Sequence, residues 1–242
     1  MALRSNTGVG VPAHRTGDSI DRCGDRDHVR SNGMRLSRSI RYRLASMAAF
    51  APLYYTSVTA RAMRKAPPGY SSTQHTMSRL AARGTSSARL MNAAFAGYGV
   101  LVQGLGPLLH HEARGGKRGR ALWGLVAIYG LGAVLAAKYP TRSERQVLPG
   151  ITENSAHNIA GGMTLSSIGL LMALSPRALK ERPAWCGWWR WFSYGMFAAT
   201  CILTLPYYSR TWLRKRGLFQ RSLFVTTMTW VMTTALRLRR LS

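Results

Sequence analysis

The chain has 242 residues, of which 34 are Lys or Arg and 8 are Asp or Glu, so its net charge is +26 at pH 7. A nucleic-acid partner would require clustered Lys and Arg on a polar surface, whereas here short basic clusters alternate with long windows that carry no charge. The composition therefore argues against nucleic-acid binding and favours basic loops that contact the anionic headgroups of a lipid bilayer.

Residues 1–40 are predicted to form a disordered tail of polar and basic character. The first 33 residues mix Gly, Asp, Arg and Ser without periodicity or apolar runs, and such segments cannot bury enough apolar surface to fold. The Arg residues after Met34 lead directly into apolar sequence, as at the start of an inserted membrane protein. An alternative interpretation is therefore that residues 1–33 are an over-extended reading frame.

Six windows without charged residues predict that residues 41–242 form an all-α domain, an integral membrane bundle of six transmembrane helices. The predicted spans are residues 44–60, 90–109, 121–137, 157–174, 191–208 and 222–238, with boundaries taken as approximate. A helix needs roughly 20 largely apolar residues to cross about 30 Å of hydrocarbon. The alternative is a soluble helical bundle, but its helices should carry charges at every third or fourth position on the wet face.

The orientation of the spans is predicted from the excess of Lys and Arg on the cytoplasmic side. Basic residues are divided almost equally between the two sides, so the count alone does not decide. The Arg cluster before the first span and the short basic turn after the second favour a cytoplasmic location for both termini. We therefore expect a multi-pass protein of the bacterial inner membrane.

Four short pieces lie within or beside the spans in a fixed order. They are a proline in the first span followed by PGYSSTQHTMSRL, the MNAAF that opens the second span, YPTR with a loop that ends in His157, and GLFQRSL with Trp230 further on. In this order they resemble the polytopic bacterial membrane proteins grouped as domain of unknown function 998, over roughly residues 44–238. The resemblance implies a membrane fold and no known reaction. One departure is Arg142, where the family often has Asp.

These pieces fall in or beside loops one, three and five, which all lie on one side of a six-span protein. We predict a polar ligand-binding site on this face, made of Tyr70, Ser71, His75, Ser78, Asn92, Glu153, His157, Gln220 and Arg221. The site is expected to bind or move a lipid or a small solute, and the sequence favours this role over that of an enzyme. No motif indicates a cofactor.

Glu153 and His157 stand four residues apart at the start of the fourth span. In a structural interpretation, Asn154 or Ser155 caps the helix, and Glu153 lies near its positive end. In a functional interpretation, His157 faces the bundle interior and bonds to loop one or five, since ionisable groups at membrane depth tend to mark sites. Two further alternatives are a metal-dependent hydrolase, in which His75 joins Glu153 and His157 as metal ligands, and a structural subunit without a ligand.

Basic and aromatic residues mark the ends of the last two spans. Arg221 opens the sixth span and is predicted to reach the headgroups or to pair with a carboxylate, either Glu144 or Glu153. The tryptophans of WCGWWRW, residues 185–191, are predicted to lie at headgroup level, where an indole ring is half buried and its N–H remains hydrated.

Overall fold

The computed structural model describes residues 36–242, which form an all-α domain. Its helices are α1 (Arg38–Arg64), α2 (Ala88–Leu101), α3 (Leu105–Glu112), α4 (Gly116–Lys138), α5 (Glu153–Ala178), α6 (Trp188–Tyr208) and α7 (Arg216–Leu241). Short 3-10 helices cover Met77–Ala81, Val102–Gly104, Pro183–Trp185 and Arg210–Lys215, and β1 (Gln146–Leu148) pairs with β2 (Ile151–Thr152) in a hairpin. Most of the predicted tail lies outside the described residues, and α1 begins before the expected boundary at residue 41.

The charge-free windows are shorter at both ends than α1, α4, α5 and α7, because charged residues do not stop a helix that is capped further out. Ser37 caps α1 by accepting the backbone N–H of Ile40, and Thr152 caps α5 by accepting that of Ser155 at 3.1 Å. The second predicted span is not one helix. A 3-10 turn at Val102–Gly104 divides it into α2 and α3.

Six helical segments, with α2 and α3 counted as one, pack in a closed ring. Each segment contacts the next: α1 and α2, α2 and α4, α4 and α5, α5 and α6, α6 and α7, and finally α7 and α1. Helices α2 and α4 approach closely at Gly99 and Gly130, where a Cβ on either residue would clash with the carbonyl oxygen of the other. Small residues permit such close approach of helix backbones.

The ring has two ends, and the tryptophans after α5 lie at the end that carries loop two (residues 113–115) and loop four (residues 179–187). Trp185 and Trp189 are buried, and the Trp185 indole donates to the Glu112 carboxylate at 2.9 Å. The predicted half-buried, hydrated environment is therefore wrong for these two residues, which belong to the core. Trp188 and Trp191 are exposed, and for them it stays a prediction.

Two described helices, α4 and α5, are long and apolar enough to cross a membrane by length and composition. The other helices do not meet this criterion: α1 and α7 are rich in Ser and Thr, α6 is rich in Trp and Tyr, and the 3-10 turn leaves α2 and α3 short. The all-α architecture is confirmed, whereas the six-span arrangement stays a prediction.

Candidate functional site

A cavity of about 490 Å³ lies within the ring at the end that carries loop one (residues 65–87), loop three (residues 139–152) and loop five (residues 209–215). Cavities that bind small molecules typically measure roughly 300–1,000 Å³. Polar lining residues include Thr76, Ser78, Thr141, Asn154, His157, Asn158, Arg216 and Gln220. Apolar and aromatic ones include Phe95, Tyr98, Tyr129, Ala133, Leu165, Ile168, Leu223 and Phe224.

His157 lines the cavity from the first turn of α5 and is only 6% exposed. Its Nδ1 lies 2.8 Å from the carbonyl oxygen of Tyr139 and 3.1 Å from that of Ala136. Because a carbonyl oxygen only accepts, Nδ1 carries the proton, and Nε2 of the neutral ring is an acceptor. The partners belong to α4 and the residue after it, so the expected bond to loop one or five is wrong.

Two tyrosines form a hydrogen-bonded pair in the cavity wall. The hydroxyl oxygens of Tyr98 on α2 and Tyr129 on α4 are 2.6 Å apart, and both residues are buried. Their rings meet nearly perpendicularly, with centroids 5.9 Å apart. The pair joins two neighbouring helices and gives the cavity a polar group among apolar neighbours.

Gln220 connects loop one to α7 at the cavity. Its side-chain Oε1 accepts the backbone N–H of Met77 at 2.6 Å, and the residue is 7% exposed. Ser78, the next residue of loop one, is also buried and lines the cavity. Because a buried backbone N–H needs an acceptor, this amide fixes the position of the 3-10 helix Met77–Ala81 against α7.

Arg216 supplies the cavity with a full positive charge. It is the first residue of α7, and its guanidinium lies over the ring of Tyr207, 5.2 Å from the centroid. Its buried Nε has no hydrogen-bond partner within residues 36–242. The lining residues include no carboxylate. The electrostatic balance of the cavity is therefore positive.

Tyr70, Ser71, His75 and Arg221 lie together outside the cavity lining, in a group that we call the loop-one clasp. The Arg221 guanidinium donates to the carbonyl oxygens of Ser72 and His75, the latter at 3.1 Å, and to the Tyr70 hydroxyl at 2.6 Å. The alternative of a carboxylate partner for Arg221 is therefore wrong, and the contact of Arg221 with headgroups stays a prediction. A guanidinium suits this position because it offers several donors in a fixed plane.

The imidazole of His75 has a structural partner within the clasp. Its Nδ1 accepts the backbone N–H of Ser71 at 2.9 Å. Partial burial of the ring lowers the pKa of His75 below its ordinary value, and the charges of Arg79 and Arg142 lower it further. The ring is therefore neutral at pH 7, as an acceptor Nδ1 requires.

Glu153 anchors loop three instead of facing the cavity. Its carboxylate accepts from Arg83 of loop one at 2.6 Å and from the hydroxyl of Ser143. The neighbouring Asn154 accepts the backbone N–H of Arg142 at 2.9 Å through its side-chain oxygen. Because Thr152 occupies the N-cap, the expectation that Asn154 or Ser155 caps α5 is wrong, although Glu153 does lie in the first turn.

The nine predicted site residues thus separate into groups. Ser78, His157 and Gln220 line the cavity, and Tyr70, Ser71, His75 and Arg221 form the clasp. Glu153 lies in the loop-three anchor. Asn92 lies on α2, is not a lining residue, and has a buried side-chain oxygen without a partner in the described part of the chain.

The alternative metal site is not assembled. Among residues 36–242, no three His, Cys, Asp or Glu side chains are placed to hold one metal ion. His75 faces Ser71, His157 donates to α4, and Glu153 pairs with Arg83. Each of the three expected ligands therefore has a separate structural partner.

Sequence reasoning missed Arg216, Tyr98, Tyr129 and Asn158 as lining residues. A signal for some of them was present. On α7, the lining positions Arg216, Gln220, Leu223 and Thr227 recur at helical spacing, which places them on one face of the helix. Extending this spacing from the sixth window back through Gln220 would have included Arg216.

A family model described as Protein of unknown function (DUF998) matches residues 48–237. No curated protein and no solved structure matches the chain. The matched region includes α2 to α6, all of the cavity lining and all of the clasp.

Proposed function

The chain belongs to the DUF998 family, and from that premise we propose that it is a six-span protein of the bacterial cell membrane that binds or moves a lipid or a small solute. The observation that carries this proposal is the cavity, with its polar groups toward the loops and its aromatic and apolar groups deeper inside. Pockets of this size and character are the usual location of small-molecule sites.

The distribution of charge over the described residues supports a membrane location. Charged side chains lie near the two ends of the ring, and the middle of every long helix carries none. Every side of the ring carries exposed apolar residues between its ends, and these include Phe50, Leu53, Val100, Leu131, Leu170, Ile202, Leu205 and Val225. Large areas of exposed apolar surface are unfavourable in water and indicate contact with another apolar phase.

The chemistry of the lining supports binding. It offers one guanidinium, neutral donors and acceptors, and aromatic walls. His157 already donates through Nδ1 to two carbonyl oxygens, and Tyr98 bonds to Tyr129. Groups whose orientation is fixed in this way can recognise a ligand with little loss of side-chain freedom. We also propose that the basic loops of the protein contact anionic lipid headgroups.

Filling the cavity tests the proposal. Leu165 lines the cavity, whereas Leu170 on the same helix is exposed on the outer surface. We expect Leu165→Trp to reduce the amount of any small molecule or lipid that co-purifies in a one-to-one complex, as measured by native mass spectrometry of the detergent-extracted chain. The matched variant Leu170→Trp should retain the wild-type amount.

The opposite result would contradict cavity binding. If wild type and both variants carry the same bound molecule in the same amount, its site lies elsewhere on the surface. If no variant carries any molecule, and added lipids and solutes do not bind, the interpretation as a structural subunit is preferred.

A further inference from the structure

Helices α5 and α6 pack together at one end of the ring and leave an opening at the other. At the end of loop four, Ser193 on α6 donates to the carbonyl oxygen of Met172 on α5 at 2.8 Å. Nearer the loop-three end of α5, a Cβ added at Gly161 or Gly162 would meet no atom within 4 Å. Gly161 and Asn158 are exposed and also line the cavity. The cavity therefore reaches the outer surface sideways, beside α5.

The opposite side of this opening is formed by the last turn of α6. Tyr207 and Tyr208 line the cavity there, and Tyr208 is 56% exposed. The surface around the opening is apolar: Ile159 on α5 is 56% exposed, and Leu205 on α6 is 75% exposed. In a membrane-spanning ring, such an opening faces lipid chains instead of water.

The charge beside the opening determines which lipid fits. Arg216 carries the full positive charge of the lining, and its buried Nε has no partner within the described residues. It is the first residue of α7, and the macrodipole of this helix adds positive potential at its N-terminal end. A guanidinium binds phosphate through several charge-assisted hydrogen bonds, and phosphate is the common anionic group of membrane lipids.

We propose that the ligand of the cavity is a membrane lipid with an anionic phosphate headgroup, which enters sideways between α5 and α6. The phosphate binds at Arg216, and part of the acyl chain contacts Leu165 and Ile168. This inference rests on the proposed function, because it names the ligand class of the same cavity. A cavity of about 490 Å³ holds a headgroup and part of one chain, and the remainder of the lipid stays in the bilayer.

A photo-reactive lipid tests the inference on the full chain in neutral detergent. The probe is phosphatidylglycerol with a photo-reactive acyl chain, and the cross-linked residues are mapped by mass spectrometry. We expect cross-links at Leu165 or Ile168 that unlabelled phosphatidylglycerol displaces and that phosphatidylcholine or inorganic phosphate does not. Arg216→Gln should lower this labelling roughly tenfold, as expected for the loss of a charged hydrogen-bond donor. Arg214→Gln, an exposed position that does not line the cavity, is the matched control.

A second pair of variants tests the route of entry. Gly161→Phe places a ring in the opening, whereas Gly195→Phe places the same ring in open space on α6. Both glycines are helical and exposed, so both substitutions leave the core unchanged. We expect the first variant to lose cavity labelling and the second to keep it.

The possible failures are distinguishable. If Arg216→Gln is labelled as strongly as wild type, or if phosphatidylcholine displaces the probe as well as phosphatidylglycerol does, the ligand does not require an anionic headgroup. Binding in the cavity would still stand. If inorganic phosphate displaces the probe, the ligand of the cavity is a soluble anion and not a lipid. Equal labelling of Gly161→Phe and wild type overturns the sideways entry. An absence of cavity cross-links in wild type, together with no effect of Leu165→Trp on co-purifying molecules, contradicts the proposed function itself.

Discussion

At the scale of single residues, the loop-one clasp depends on the protonation state of His75. The Nδ1 of this ring accepts the backbone N–H of Ser71, and an acceptor nitrogen cannot carry a proton. Burial and the nearby charges of Arg79 and Arg142 lower the pKa of His75. A folded-state pKa below the ordinary value means that the clasp is fully stabilised above the unfolded-state pKa of about 6.5. This stabilisation is lost as the pH falls through the folded-state pKa.

We therefore expect acid to loosen loop one. Between pH 7.5 and pH 5, the hydrogen-exchange protection factor of the Ser71 amide should fall roughly two- to tenfold, the equivalent of about 0.5–1.5 kcal/mol for one hydrogen bond. His75→Asn is the control, because an Asn side-chain oxygen can accept the same bond and does not titrate. A similar fall in this variant would assign the effect to another group.

At the scale of helices, the close approach of α2 and α4 determines the shape of the cavity wall. Gly99 and Gly130 face each other, and the Tyr98–Tyr129 hydrogen bond lies one residue away on each helix. The absence of side chains at the glycines lets the helix backbones come near enough for the two hydroxyl groups to meet. Separation of the helices would therefore break a hydrogen bond in the cavity wall as well as the packing.

Adding a methyl group at this contact tests how strongly the stability of the protein depends on the close approach of α2 and α4. Gly130→Ala would place a Cβ against the carbonyl oxygen of Gly99 and the side chain of Gln103, and we expect it to lower the free energy of unfolding by about 1–3 kcal/mol, as overpacking does. Gly124→Ala, on the same helix in open space, should be neutral or stabilising by about 0.5–1 kcal/mol. Thermal unfolding of the detergent-solubilised chain compares the two. An equal melting temperature in both variants would show that the contact is not tight.

At the scale of the whole molecule, the ring brings loops one, three and five to the same end. Because successive long segments contact each other and the chain reverses between them, alternate loops meet. The contact between Arg83 of loop one and Glu153 beside loop three, and that between Arg221 beside loop five and loop one, join all three loops. This end carries the cavity, so the proposed six-span arrangement predicts that the ligand binds on one side of the membrane.

The sidedness of the loops can be measured in cells. Single cysteines at the exposed positions Gln74, Glu144 and Arg210 represent loops one, three and five. Cysteines at Lys117, in the first turn of α4 beside loop two, and at Glu181 of loop four represent the other end of the ring. In a background whose natural cysteines are replaced by serine, we expect a membrane-impermeant maleimide to label the first three in intact cells. The other two should react only after permeabilisation. If loops one, three and five divide between the two sides, the six-span arrangement fails.

The sequence by itself determined the family, the all-α class and the approximate position of each long helix. These features follow from local information, because an uncharged window bounded by Arg, Pro or Gly indicates a helix whatever it packs against. The prediction that loops one, three and five lie on the same side also followed from the number of predicted spans. The β1–β2 hairpin was not predicted, although Pro149 and Gly150 are a local signal for its turn. The 3-10 turn inside the second window was also not predicted, because it depends on the contact of Gly104 with α1.

Only the tertiary structure decided which polar residues meet. Met77 and Gln220 are 143 residues apart in sequence and share a hydrogen bond, and no local pattern could pair them. The same holds for Arg221, whose partners proved to be carbonyl oxygens of loop one instead of a carboxylate. The rotation of each helix about its axis, set by packing around the ring, assigned His157 and Arg216 to the cavity and Glu153 to the loop-three anchor. Rotation and packing are properties of the assembled helices, and a single sequence does not specify them locally.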